Sequence, residues 1–170
     1  MPADLPLRLT STIIRGFGRG SRDLGIPTAN LDKSLLEGCV FEALSTGIYY
    51  GFAGLVGVDG KADAEVYPAA ISVGFNPTYN NTEKTIEPHF ICPPSSPYRK
   101  ASICSETQMP DFYGRKCRLA IVGYIRPEMP YAGVEPLIAA IKEDIKVTEG
   151  KCGEGGEVAV EEREWCRSGK

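Results

Sequence analysis

Cys117-Arg-Leu-Ala-Ile-Val-Gly-Tyr-Ile-Arg126 is the stretch on which the fold turns. In an extended chain, Cys117, Leu119, Ile121 and Ile125 share one side, and Arg118, Tyr124 and Arg126 take the other. A period of two with one apolar side marks an antiparallel strand that buries a single face. The same period recurs upstream. Leu7, Leu9 and Ile13 alternate with Arg8, Thr10 and Thr12, and Ile48, Tyr50, Phe52 and Val56 form an apolar set. Tyr67, Ala69, Ile71, Val73 and Phe75 stand opposite Ser72 and Gly74. A fifth strand is predicted over residues 84–91. Pro88 places it at an edge or a bulge, because proline cannot donate to a ladder.

One segment changes period. Val134, Leu137, Ile138, Ile141 and Ile145 fall at steps of three and four, with Lys142, Glu143, Asp144 and Lys146 on the other side. Pro136 suits the first turn of such a helix, and Gly150 is placed to end it. One helix after a set of strands predicts a mainly β protein, a closed barrel with the helix packed on it. Residues 1–149 read as that single domain. Residues 150–170, rich in Gly and Glu, read as a mobile tail apart from whatever Trp165 anchors.

Composition narrows the function. The chain has 170 residues, 19 Lys and Arg against 22 Asp and Glu, and a net charge of −3. That balance argues against a polyanion such as nucleic acid, while a small anionic ligand needs only a few local donors. One histidine, His89, excludes zinc sites built on paired histidines. Six scattered cysteines without a C-x-x-C pair, no basic and apolar leader, and no run long enough to span a bilayer predict a cytoplasmic, thiol-reduced protein.

Three stretches lack either period: 16–32, 76–82 and 93–111. The richest is Arg15-Gly-Phe-Gly-Arg-Gly-Ser-Arg-Asp-Leu-Gly-Ile-Pro-Thr-Ala-Asn30. Its glycines let backbone N–H groups converge on an anion, although a turn without a ligand reads equally well. No Gly-Lys-Ser/Thr follows, and Pro27 stands where a dinucleotide fold needs a helix, so neither standard phosphate loop fits. Pro27 instead stiffens an extended segment in which Thr28 and Asn30 face the same way. A hydroxyl and an amide oxygen side by side are hard donors suited to Mg²⁺, with the missing charge arriving on phosphates. A purely structural Thr/Asn turn is the alternative.

These residues also carry a likeness. The glycine loop and Leu24-Gly-Ile-Pro-Thr-Ala-Asn30 resemble the riboflavin kinase (flavokinase) family, of monofunctional eukaryotic type, whose signature is Pro-Thr-Ala-Asn. The resemblance continues in order through Ser45–Gly51, Ser72-Val-Gly-Phe-Asn-Pro77, Thr85-Ile-Glu-Pro-His89, Asp111-Phe-Tyr-Gly114 and Ile121–Glu128. It implies a six-stranded antiparallel Greek-key barrel with a C-terminal helix. It also implies an ATP:riboflavin 5′-phosphotransferase, which forms FMN and ADP. By resemblance Thr28 and Asn30 hold Mg²⁺, with Zn²⁺ or Mn²⁺ as other candidates, and Glu87 is the catalytic base. Gly16, Gly18, Arg19, Gly20, Ser21, Gly25, Pro27 and Arg126 would surround the nucleotide and flavin, with His89 in a structural role. The expected partners are riboflavin or FMN and ATP or ADP, with no nucleic acid, no membrane and a monomeric state. The competing reading is a non-catalytic flavin- or nucleotide-binding barrel, which would not need Glu87. Residues 93–110 exceed the connection expected in the family and hold no assignable motif.

Overall fold

The computed structural model describes residues 4–14, 29–36, 38–57, 64–75, 83–92 and 113–170. Six strands form one sheet: β1 (Leu7–Ile14), β2 (Asn30–Leu31), β3 (Gly47–Leu55), β4 (Glu65–Gly74), β5 (Thr85–Phe90) and β6 (Lys116–Arg126). A 3-10 turn (Lys33–Leu35) and a short helix α1 (Gly38–Ala43) lie between β2 and β3. The spatial order is β2-β1-β6-β3-β4-β5, and every pairing described is antiparallel. β3, β4 and β5 follow one another as a meander, and β6 returns to lie beside β3, which is a Greek key. The end strands β2 and β5 approach each other, so the sheet is a nearly closed barrel.

The alternation read in β1, β4 and β6 holds. Leu9 and Ile13, then Ala69, Ile71 and Val73, then Cys117, Leu119 and Ile121 fill the barrel interior. β3 departs from the expectation that Ile48, Tyr50, Phe52 and Val56 mark its core face. Its inward residues are Tyr49, Ala53 and Leu55, whereas Phe52 and Tyr50 belong to a second apolar cluster outside the barrel. The physical reason is that β3 is covered on both sides, and a nearly continuous apolar run cannot declare which side is which.

Two bulges in β6, where the pairing with β3 skips Val122 and Ile125, exchange the faces at its end. Tyr124, rather than Ile125, therefore stands beside Tyr49, with ring centroids 5.1 Å apart and nearly perpendicular planes.

Outside the barrel lie α2 (Val134–Gly153) and α3 (Glu157–Ser168). Gly150 does not end the first helix, which continues for three further residues. Residues 157–168, expected as a mobile tail, form a helix whose Glu162 and Cys166 are buried. Glu162 is held by Arg8 of β1, with Nε 2.8 Å from Oε2, and the Arg8 guanidinium lies over Trp165. Arg118 donates to the carbonyls of Cys166 and Arg167, fixing the helix end against β6. Among the described residues no helix is long and apolar enough to cross a membrane.

Candidate active site

Strand β5 directs Ile86 and Phe90 inward to the core, which turns Thr85, Glu87 and His89 to the outer face of the barrel. Across the ladder, Gly74, Ser72 and Ala70 of β4 stand opposite these three residues. Glu87 is half-buried on this face. Thr85 Oγ1 is 2.9 Å from Glu87 Oε1 and 3.3 Å from the Gly74 carbonyl. The hydroxyl has one proton, and the shorter, charge-assisted bond to the carboxylate is the stronger. Burial pushes the Glu87 carboxyl above its ordinary value, the Thr85 bond opposes that rise, and the nearby Glu128 carboxylate adds to it.

Glu128 follows the end of β6 and closes over the end of β4. Its Oε2 accepts the backbone N–H of Phe75 at 3.2 Å. Its carboxylate rests against the Cα of Gly74, where any Cβ would overlap it. Two carboxyl groups thus flank the last residues of β4, and the Gly74–Thr85 pairing connects them.

Arg126, expected near the flavin, is engaged in a fork. Nε lies 2.8 Å from Asp144 Oδ1 and Nη2 lies 2.6 Å from Oδ2, while Nη1 donates to the Pro127 carbonyl. The guanidinium also stands 5.9 Å from the Tyr131 ring centre. Asp144 was placed on the polar side of the helix by its neighbours Lys142, Glu143 and Lys146. In the structure it is buried against β6, because the Arg126 fork satisfies both oxygens. Burial raises the Asp144 carboxyl, and Arg126 pulls against that rise. The pair ties the β6 end to α2, so Arg126 anchors this side of the site through Asp144.

Asn30 opens β2 opposite Ile14. Ala29 and Leu31 enter the core on either side of it, so its carboxamide faces the other way, at 6% exposure. It is a neutral hard oxygen donor on the strand that meets β5, the strand of Glu87, at the barrel seam. Thr28 and the nucleotide-side candidates Gly16, Gly18, Arg19, Gly20, Ser21, Gly25 and Pro27 lie outside the described residues. Among the described residues no group of three or more His, Cys, Asp or Glu is placed to hold a metal ion.

His89 sits two residues beyond Glu87 on the same face. Its Nε2 is buried without a hydrogen-bond partner, and burial lowers its pKa to about 4. It is a neutral ring at physiological pH. Sequence reasoning gave no role to Thr85, Gly74, Glu128 or Asp144. Thr85, Gly74 and Glu128 sit inside quoted motifs, but their proximity to Glu87 depends on pairing β4 with β5 and on the return of β6. For Asp144 the available signal was its position at the edge of the apolar stripe, three residues after Ile141 and seven after Leu137.

The face therefore holds a half-buried carboxylate with an elevated proton affinity, a second carboxylate braced on the neighbouring strand, and a hard oxygen donor across the seam. Such a face can accept a proton from a hydroxyl and can receive a cation that arrives with phosphates. Comparison with known proteins gives the family. Residues 3–151 match the flavokinase family, described as riboflavin kinase. The chain is 38% identical to the riboflavin kinase of Aspergillus fumigatus over 94% of its own length and 88% of that protein. It is 39% identical to the human riboflavin kinase over 84% and 78% of the two chains. Its fold is similar to the crystal structure of riboflavin kinase from Trypanosoma brucei, with a TM-score of 0.60 at 23% identity, covering 94% of this chain and 84% of that one. By the family match and these identities, the chain belongs to the riboflavin kinase family, whose members phosphorylate riboflavin to FMN at the expense of ATP.

Proposed function

We propose that Glu87 is the general base of this reaction and that Thr28 and Asn30 hold Mg²⁺ with the ATP phosphates. The single observation that carries the first assignment is the environment of Glu87: half-buried, oriented by Thr85, and raised in proton affinity. The ribityl 5′-hydroxyl is a poor nucleophile and must lose its proton as it attacks. In the proposed step that proton passes to the Glu87 carboxylate. The hydroxyl oxygen forms a bond to the γ-phosphorus as the bond from that phosphorus to the β,γ-bridging oxygen breaks, and ADP leaves. A half-buried carboxylate has lost part of its water and binds a proton more tightly than an exposed one, which favours this transfer. Thr85 holds one oxygen, leaving the other for the substrate.

Asn30 supports the cation assignment by its chemistry and by its strand, which adjoins β5. Bound beside the nucleotide, Mg²⁺ supplies neutralisation of the charge that spreads over the transferring phosphoryl group. Zn²⁺ and Mn²⁺ accept the same oxygen donors. Gly16, Gly18, Arg19, Gly20, Ser21, Gly25 and Pro27 fill the nucleotide-side role, and Arg126 acts through Asp144 at the flavin side. We read residues 1–149, together with the end of α2 and the packed α3, as the catalytic domain of a cytoplasmic monomer. The buried thiols of Cys117, Cys152 and Cys166 suit a reducing compartment.

The test is incubation of the purified protein with riboflavin, ATP and Mg²⁺, with the flavins separated by chromatography. FMN and ADP in equal amounts are expected. Tight flavin binding without FMN would instead favour the non-catalytic barrel. In the active protein, Thr28→Ala and Asn30→Ala should raise the Mg²⁺ and ATP concentrations needed for half-maximal rate. Unchanged requirements would remove both residues from the cation site. The acidic limb of kcat/KM should lie above 4.5, the ordinary value for a glutamate, because Glu87 must be ionised to act and its affinity for protons is raised. A limb at or below that value would contradict the assignment.

A further inference from the structure

We infer that Glu128 is a positioning residue for the phosphoryl transfer, acting on Glu87 through the backbone of β4 and the side chain of Thr85. This rests on the reading of Glu87 as the base. The path is continuous and short. Glu128 Oε2 accepts the Phe75 N–H, and its carboxylate lies flat against Gly74. Gly74 pairs with Thr85 on β5, and its carbonyl lies within reach of the Thr85 hydroxyl. Thr85 in turn donates to Glu87. Without the Glu128 brace, the Phe75 N–H just past β4 loses that acceptor, and the end of the strand is held by the Gly74–Thr85 pairing. Any drift of Gly74 moves the second acceptor open to Thr85 and so changes which oxygen that hydroxyl serves.

Two details fit this role better than a surface contact. First, Gly74 is required by the geometry: a methyl group there would collide with the Glu128 carboxylate, the movable end of a flexible side chain. The carboxylate is the part that gives way, so the methyl removes the brace from the end of β4. Second, Glu128 reaches β4 from the end of β6, immediately after Arg126 and Pro127, and Arg126 is pinned to α2 by Asp144. The segment that carries the brace is therefore itself fixed to the helix, so the position of Glu87 depends on β4, β6 and α2 together.

The experiment is a double-mutant cycle on the full chain, reading kcat and the KM values for riboflavin and ATP. A misplaced reacting group costs up to roughly 100-fold in rate. Glu128→Ala and Gly74→Ala should therefore each lower kcat by about 10- to 100-fold, with KM for ATP within about threefold of the parent. Glu128→Gln keeps an acceptor for the Phe75 N–H and should recover most of that loss. Combined with Glu87→Gln, Glu128→Ala should cost nothing further, since the group it positions is gone. Full additivity in the double variant would overturn the inference, as would a Glu128→Gln variant as slow as Glu128→Ala. Circular dichroism melts guard against global unfolding, and if Glu128→Ala fails to fold, Gly74→Ala carries the cycle. If Glu87→Gln alone keeps its turnover, the base assignment fails rather than the path, and the two failures are distinguishable.

Discussion

The two halves of the barrel's outer face differ in how they treat polar groups. Where α3 packs, Phe52, Ala120, Cys152 and Cys166 form a buried apolar cluster. Arg8 holds Glu162, and Arg118 holds the final carbonyls of the helix. Around the N-terminal half of α2 the face carries Glu87 with a raised proton affinity and His89 with an orphaned Nε2. Phe75, Met129 and Val134 are exposed near it. The first region is arranged for stability. The second keeps unfavourable electrostatics and open apolar surface, the pattern expected where a fold gives up stability for a site.

That contrast can be broken from either side. The largest expected effect is in the α3 region, where Phe52 is 1% exposed and lies under the Arg163 guanidinium. Phe52→Ala should cost about 3–5 kcal/mol of stability in chemical denaturation, by loss of apolar contact and a residual cavity. The kcat of the folded fraction should stay near that of the parent. A large drop in kcat at temperatures where the variant is folded would erase the distinction between the two regions.

Next in size is Glu162→Ala, which takes the buried partner from Arg8 and leaves it the exposed Glu161, and should cost about 1.5–3 kcal/mol, the range for hydrogen bonds to charged groups. A cost near zero would mean that Trp165 and the apolar cluster hold α3 without the ion pair.

A smaller effect concerns pH. His89 titrates near 4 in the fold against 6.5 when unperturbed, so the fold favours its neutral form. Its contribution is intact above about 6.5 and is lost as pH falls toward 4, with a slope of at most about 1.4 kcal/mol per pH unit. His89→Leu should flatten the acid side of a stability profile. An unchanged profile would show that the ring reaches water or a partner when protonated.

How much of this was legible in the sequence depended on whether a segment answered to one neighbour or two. β1, β4 and β6 each have one side chemically distinct from the other, and their alternation pointed to the right faces. Ile48–Leu55 touches the barrel core on one side and the α2 and α3 cluster on the other, so its pattern carries no such preference. The tail was misread for a non-local reason. Its charges suggest solvent, but Glu162 is buried only because Arg8 is brought beside it from the far end of the chain. The bulges at Val122 and Ile125, which put Tyr124 beside Tyr49, leave no periodic trace. For the site, Glu87 and Asn30 were found by motif, and the described structure gives each a setting. Glu128 and Asp144 were passed over because glutamates and aspartates in polar surroundings usually sit in water, and only the fold brings these two against β4 and Arg126.

The central claim is that Glu87 serves the reaction at the expense of the fold, and one variant tests both halves. In the fold the ionised form of Glu87 is disfavoured, so its stability contribution is present below the ordinary glutamate range and lost as pH rises through its raised value. At neutral pH Glu87→Gln should therefore melt at the parent temperature or above it. Its kcat for FMN formation should fall by roughly 10²–10⁴-fold, the contribution of a general base. A variant that keeps its kcat, or one that loses kcat only because it no longer folds, would contradict the claim.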